Sequence, residues 1–232
     1  MDLQYFFRVA EDSAAPEVPL PFIIGCIAMM FYIVRRLGRP KVFAGLAIAM
    51  QVMILTWYQL TGNLLADGLP LYHCRIAIWV LSIGILLDKR TKLMTWSSLI
   101  GLPFSLIVLL IRDMNEYQFP HITNVYYFAG HILIFLMSYH YLTEQPVKIS
   151  SQALIFYTLA IHCGVELVNL FLGSNYSYLR RLPILSYADI NRYAFLIVTV
   201  CVLAMLFLMR WAVHLYWHSM KLLEPKPTTH DN

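Results

Sequence analysis

Cys74, His131 and the trio His162, Glu166 and Asn169 stand in stretches that are otherwise almost entirely apolar. A thiol with an imidazole in reach, itself oriented by a carboxylate or amide, is the arrangement used in covalent acyl transfer. The imidazole takes the thiol proton, the thiolate attacks an ester carbonyl, and the thioester passes its acyl group to an alcohol, an amine or water. His73 and Arg75 flank the cysteine. A cation beside a thiol favours the thiolate, and the same guanidinium suits a phosphate. His162 and Glu166 are spaced i, i+4, and Glu166 and Asn169 i, i+3, so a helix can put all three on one face. Plain structural roles are also open: a membrane cysteine is usually a small packed hydrophobe. His73 can cap an interface, His131 can make a structural hydrogen bond, and Glu166 can be a buried partner of Arg75 or His162. Cys26, Cys163 and Cys201 lack polar company and read as packing residues.

These side chains need elements that bring them to one depth. Of the 232 residues, 59% are hydrophobic and 13% charged. Soluble domains run at about half apolar and a quarter charged, so a disordered chain is excluded and a soluble globule disfavoured. A bilayer core of about 30 Å asks for about 20 mostly apolar helical residues. Stretches near that length fall at Leu20 to Val34, Val42 to Leu60, Leu71 to Leu87, Leu93 to Ile111, Asn124 to Leu142, Ala153 to Leu172 and Tyr193 to Trp217. Alternating barrel-type strands are absent, which leaves helices to satisfy the backbone in lipid. The expected fold is an all-α polytopic membrane protein with about seven transmembrane helices. Residues 1–19 form an extracytoplasmic segment whose apolar side chains suit a short interfacial helix. The helical domain is expected over 20–218 and a cytoplasmic tail over 219–232. The acidic residues among the first 17 argue against a cleavable signal peptide.

Basic residues set the direction. Eleven of the seventeen fall on the side of the first, third and fifth connectors and the C-terminus, among them Arg35, Arg36, Arg39, Lys41, Lys89, Arg90 and Lys92. The N-terminus is therefore expected outside and the C-terminus in the cytoplasm. Trp57, Tyr58, Tyr126, Tyr127, Trp211 and Trp217 sit near span ends and fit an aromatic belt. In this arrangement the third helix starts at Pro70 and Cys74 lies about 6 Å below its outer end. His131 lies about 10 Å down the fifth helix from Asn124. The sixth runs the other way, with Glu166 and Asn169 in its outer third and His162 one turn deeper. Intramembrane ionisable residues default to functional hypotheses, and three helices agreeing on depth predict one pocket in the outer leaflet. The Cys74 sulfur and the His131 ring are expected within or near hydrogen-bond reach. The loop residues Tyr176, Tyr178, Arg180 and Arg181 suit phosphate headgroups or an anionic polymer, or form a solvated loop anchored by tyrosine.

Three runs carry a family resemblance: Leu69-Pro70-Leu71-Tyr72-His73-Cys74, then Phe128-Ala129-Gly130-His131, then Asn175-Tyr176-Ser177-Tyr178-Leu179-Arg180-Arg181 followed by Pro183. Their order and spacing resemble the YwaF-like bacterial integral membrane proteins, from the third helix to the end of the chain. That family is similar to a eukaryotic multi-pass acyltransferase of ether-phospholipid remodelling. The resemblance implies Cys74 as nucleophile and His131 as base. Bacterial members more often carry histidine two residues before the cysteine, where this chain has Tyr72, and the last connector lacks the usual Gly-Pro-Trp-Pro-Trp run.

The reading is a lipid acyltransferase, transacylase or lipid hydrolase of the cell membrane, with a bacterial plasma membrane expected. Cys74, His131 and Glu166 or Asn169 would be catalytic. His73, Arg75, Asn124, His162, Tyr176, Tyr178, Arg180 and Arg181 would contact substrate. Membrane lipids are the expected partners, with no nucleic acid, metal or cofactor. The rivals are a transporter or receptor pocket that binds without reacting, and an accessory protein that supports a partner enzyme.

Overall fold

The computed structural model describes residues 3–12, 14–36, 38–112, 114–144, 146–182 and 188–223. Pro183 and the tail beyond 223 lie outside them. The described residues are all-α, with no strand. Seven helices carry the fold: α1 Leu20–Arg36, α2 Pro40–Leu60, α3 His73–Leu86, α4 Lys92–Ile111, α5 Ile122–Thr143, α6 Ser151–Leu172 and α7 Ala194–Leu223. Five of them, α2 and α4 to α7, are long and apolar enough to cross a membrane. The other two are shorter: α1 has 17 residues and α3 has 14.

The helix starts follow local chemistry. Thr91 caps α4 by accepting the Met94 amide at 3.1 Å, and Ser150 caps α6 by accepting that of Ala153 at 3.2 Å. Pro40 opens α2, where its missing N–H costs nothing. α6 stops at Gly173, whose φ of 67° suits a residue without a side chain. The expected start of α3 at Pro70 is corrected. The Leu71 amide turns back to the Leu69 carbonyl at 2.8 Å, Tyr72 is extended, and the helix begins at His73. Before it, Leu64–Gly68 form one π-helical turn that the sequence did not announce. Gly68 is required there, because a Cβ on it would lie 2.7 Å from the Tyr58 Cβ.

α5 is the hub. It packs against α1, α2, α3 and α4, and 72% of its apolar window is buried against 17% for α7. α4 and α5 approach closely at Gly101, where a Cβ would come within 2.7 Å of Ser138 and Ile134. α6 and α7 form a pair at the edge, joined to the rest mainly through α4. There the Trp96 Nε1 donates to Thr158 Oγ1 at 3.0 Å, both groups buried. Large apolar side chains such as Phe156, Phe171 and Leu208 point outward, the pattern of a surface that lipid covers. Of the cysteines read as packing, Cys26 is buried, whereas Cys163 and Cys201 lie on this outer surface.

Candidate functional site

The segment before α3 is held by side chains, because it has no ladder of its own. Arg75 Nη1 donates to the carbonyls of Asp67, Gly68 and Leu69 at 3.0, 2.8 and 3.4 Å. A cation is well placed at a C-terminal end of helical backbone, where carbonyls are left over. The guanidinium also lies 5.1, 5.6 and 5.4 Å from the ring centroids of Tyr58, Tyr72 and Tyr126, a cation–π cage. Tyr176 completes the fastening: its hydroxyl accepts from the Leu69 amide and lies 3.0 Å from the Leu65 carbonyl. Ser177 donates to the Leu71 carbonyl at 2.7 Å. The loop after α6 is thus folded onto the loop before α3.

Beneath these loops is a cavity of about 340 Å³ at the end of the bundle where α3 and α5 begin, within the size range of small-molecule and lipid-fragment sites. Its walls come from α2 to α5 and from Tyr178, and Cys74, Arg75, His73, Tyr126 and His131 all line it. Cys74 is half-buried, in the first turn of α3. His131 is buried. Its Nδ1 lies 2.6 Å from the Tyr127 carbonyl, one turn back on α5. A carbonyl can only accept, so Nδ1 carries the proton and Nε2 presents a lone pair. That Nε2 is buried with no hydrogen-bond partner among the described residues. Cys74 and His131 therefore share one cavity without a hydrogen bond between them.

The third expected element of the site lies elsewhere. Asn169 donates to the Tyr176 carbonyl at 3.0 Å and accepts from the Tyr176 amide and Ser174 Oγ at 2.7 and 2.9 Å. Glu166 faces Arg180 at 3.6 Å and Asn169 at 3.4 Å. Arg180 also donates to the Asn169 carbonyl. The Asn175 side chain holds the backbone of Arg180 and Arg181. Glu166, Asn169, Tyr176, Arg180 and Arg181 thus shape the loop over the cavity and are not among its lining residues. Neither Glu166 nor Asn169 orients His131; the Tyr127 carbonyl does. Asn124 is buried at the head of α5 and donates to the Tyr117 carbonyl at 2.9 Å, tying the preceding loop rather than facing the cavity.

His162 pairs with His73, Nε2 to Nε2 at 2.8 Å, and its Nδ1 lies 2.8 Å from Thr199 Oγ1 on α7. Tyr58, Tyr72 and Tyr126 line the cavity as well, although aromatic-belt positions were expected for the first and last. Gln51, fully buried in α2, donates to the Tyr126 hydroxyl at 2.7 Å. A glutamine in mid-span is the signal that points to it in the sequence.

Neither curated proteins nor solved structures give a match. The family model described as TMEM164 family matches residues 13–211. With that match spanning most of the sequence, and with several helices long and apolar enough to cross a bilayer, the chain belongs to the TMEM164 family of multi-pass membrane proteins.

Proposed function

We propose that the chain is a lipid acyltransferase or lipid hydrolase whose cavity opens to the outer leaflet, with Cys74 as nucleophile and His131 as base. One observation carries the reading: a buried imidazole nitrogen with a free lone pair lines the same cavity as a thiol. Such a nitrogen is costly to leave unpartnered in a folded chain, and a proton-accepting role accounts for it. In the first half-reaction the thiol proton moves to His131 Nε2 and the sulfur attacks an ester carbonyl. The carbon–oxygen bond breaks, and the leaving alkoxide takes the proton from Nε2. The product is a Cys74 thioester and a free alcohol. Approach of sulfur and ring belongs to the substrate-bound state, since catalytic hydrogen bonds often tighten only there.

The resemblance to YwaF-like proteins and to a eukaryotic ether-phospholipid acyltransferase supports the same pair. Seven spans, an outside N-terminus, a cytoplasmic C-terminus and a bacterial plasma membrane complete the proposal. An anionic headgroup would meet Arg75 where it lines the cavity, with Arg180 and Arg181 at the rim. The missing thiol–imidazole hydrogen bond favours a second reading, a pocket that binds a lipid without reacting.

The test is labelling with a fatty-acyl electrophile, read by mass spectrometry of the Cys74 peptide. The wild type is expected to carry the label, Cys74→Ser to lose it, and His131→Ala to be slowed roughly 100-fold. A folded wild-type protein that stays unlabelled at Cys74 removes the enzyme reading.

A further inference from the structure

His73 adjoins the nucleophile, lines the cavity and is 5% exposed, and the first half-reaction does not use it. Its hydrogen bonds fix where its protons are. Thr199 Oγ1 lies 2.7 Å from the Phe195 carbonyl, which can only accept, so the hydroxyl donates there. The same oxygen is then an acceptor for His162, whose Nδ1 carries a proton. That leaves His162 Nε2 bare, and it accepts from His73 Nε2–H at 2.8 Å. The remaining nitrogen, His73 Nδ1, presents a lone pair with no hydrogen-bond partner among the described residues. The ring is held flat against Phe104, at 5.4 Å and 18°, so its edge cannot swing away freely. A line of three buried side chains from α7 through α6 to α3 therefore ends at the cavity on a proton acceptor.

We infer that His73 is a second base, which activates the hydroxyl that receives the acyl group, with His162 and Thr199 as positioning residues. This rests on the Cys74 thioester proposed above. The acceptor O–H gives its proton to His73 Nδ1 as its oxygen attacks the thioester carbonyl. The carbon–sulfur bond breaks, and the thiolate leaves and recovers a proton from His73 Nδ1. The transient imidazolium passes its Nε2 proton toward His162 and takes it back, so no net proton is consumed. The acceptor is a hydroxyl compound: a lipid alcohol gives transfer, water gives hydrolysis.

The experiment uses the full chain in detergent with a fatty-acid p-nitrophenyl ester as donor. The arms are a monoacyl glycerophospholipid as acceptor, water alone, and hydroxylamine, which needs no base. His73→Gln is expected to keep a burst of p-nitrophenolate and to accumulate acylated Cys74 by intact mass. Release to the lipid alcohol or to water falls roughly 100-fold, and release to hydroxylamine stays at the wild-type rate. Where only the lipid arm slows, the acceptor is the lipid; where the water arm slows as well, the base serves both. Thr199→Val, which leaves His73 intact but frees the proton order of the pair, slows release several-fold without changing the burst, and Thr199→Ser restores it. Release from His73→Gln at the wild-type rate overturns the inference, as does loss of the burst together with release in both His73→Gln and Thr199→Val. No acylated Cys74 in the wild type overturns the underlying thioester reading instead.

Discussion

The Arg75 guanidinium does for one turn of backbone what water does at an ordinary loop: it satisfies the Asp67 and Gly68 carbonyls and joins the Leu71 amide at the Leu69 carbonyl. Lysine would carry the charge but neither the planar fork nor the flat face that meets three tyrosine rings. Arg75→Lys is therefore expected to lower thermal stability by about 1–3 kcal/mol, the cost of unmet buried acceptors, seen as a lower melting midpoint in detergent. An unchanged midpoint would mean that the cage is incidental. The sequence showed that Cys74, His131 and their neighbours are out of place in lipid, because charge and polarity are legible one residue at a time. It did not show which of them meet. Spacing puts His162, Glu166 and Asn169 near one another on α6, but only packing decides that His162 turns to His73 while Glu166 and Asn169 turn to the loop after the helix.

Segments between helices are held by side-chain hydrogen bonds and ring contacts. Residues 3–12 lie against the loop after α4. The Asp12 carboxylate accepts from the Gln118 amide at 2.6 Å and pairs with Arg8. The His121 ring stacks on Tyr117 at 3.9 Å and reaches the Arg8 carbonyl. The Gln118 amide, and then Arg8, hold the Asp12 carboxyl below the usual carboxylate range. Burial holds the His121 imidazole below its usual value. Both groups have a lower pKa docked than free, so docking is fully supported above the free values of about 4 and 6.5. It weakens as pH falls through them toward the docked ones. Exchange at the Gln118 amide, corrected for its intrinsic rate, is expected to rise as pH drops from 7 to 4. Asp12→Asn is expected to raise it already at neutral pH; the same protection in the variant would remove Asp12 from the account. At this scale the helices were legible, because a bilayer leaves an apolar stretch little choice but to be helical. The turn at Leu64–Gly68 was not, since Asp67-Gly68-Leu69-Pro70 reads as a plain break and its repair comes from Arg75 and Tyr176, far apart in sequence.

The proposed topology puts the loops before α3 and after α6 outside and the basic connector before α4 inside. In intact cells, Arg181→Cys is expected to react with a membrane-impermeant maleimide, and Lys89→Cys only after permeabilisation, both side chains being exposed. The reverse pattern would invert the molecule and put the cavity on the cytoplasmic face. The helix that carries Cys74 has 14 residues, a rise of about 21 Å against a hydrocarbon thickness of about 30 Å. A bilayer meeting so short a rod can accommodate the mismatch by thinning around it. Thinning beside the mouth of α3 would draw the ester linkages of neighbouring lipids down toward the sulfur, so the shortness of one helix would shorten the path a substrate must travel.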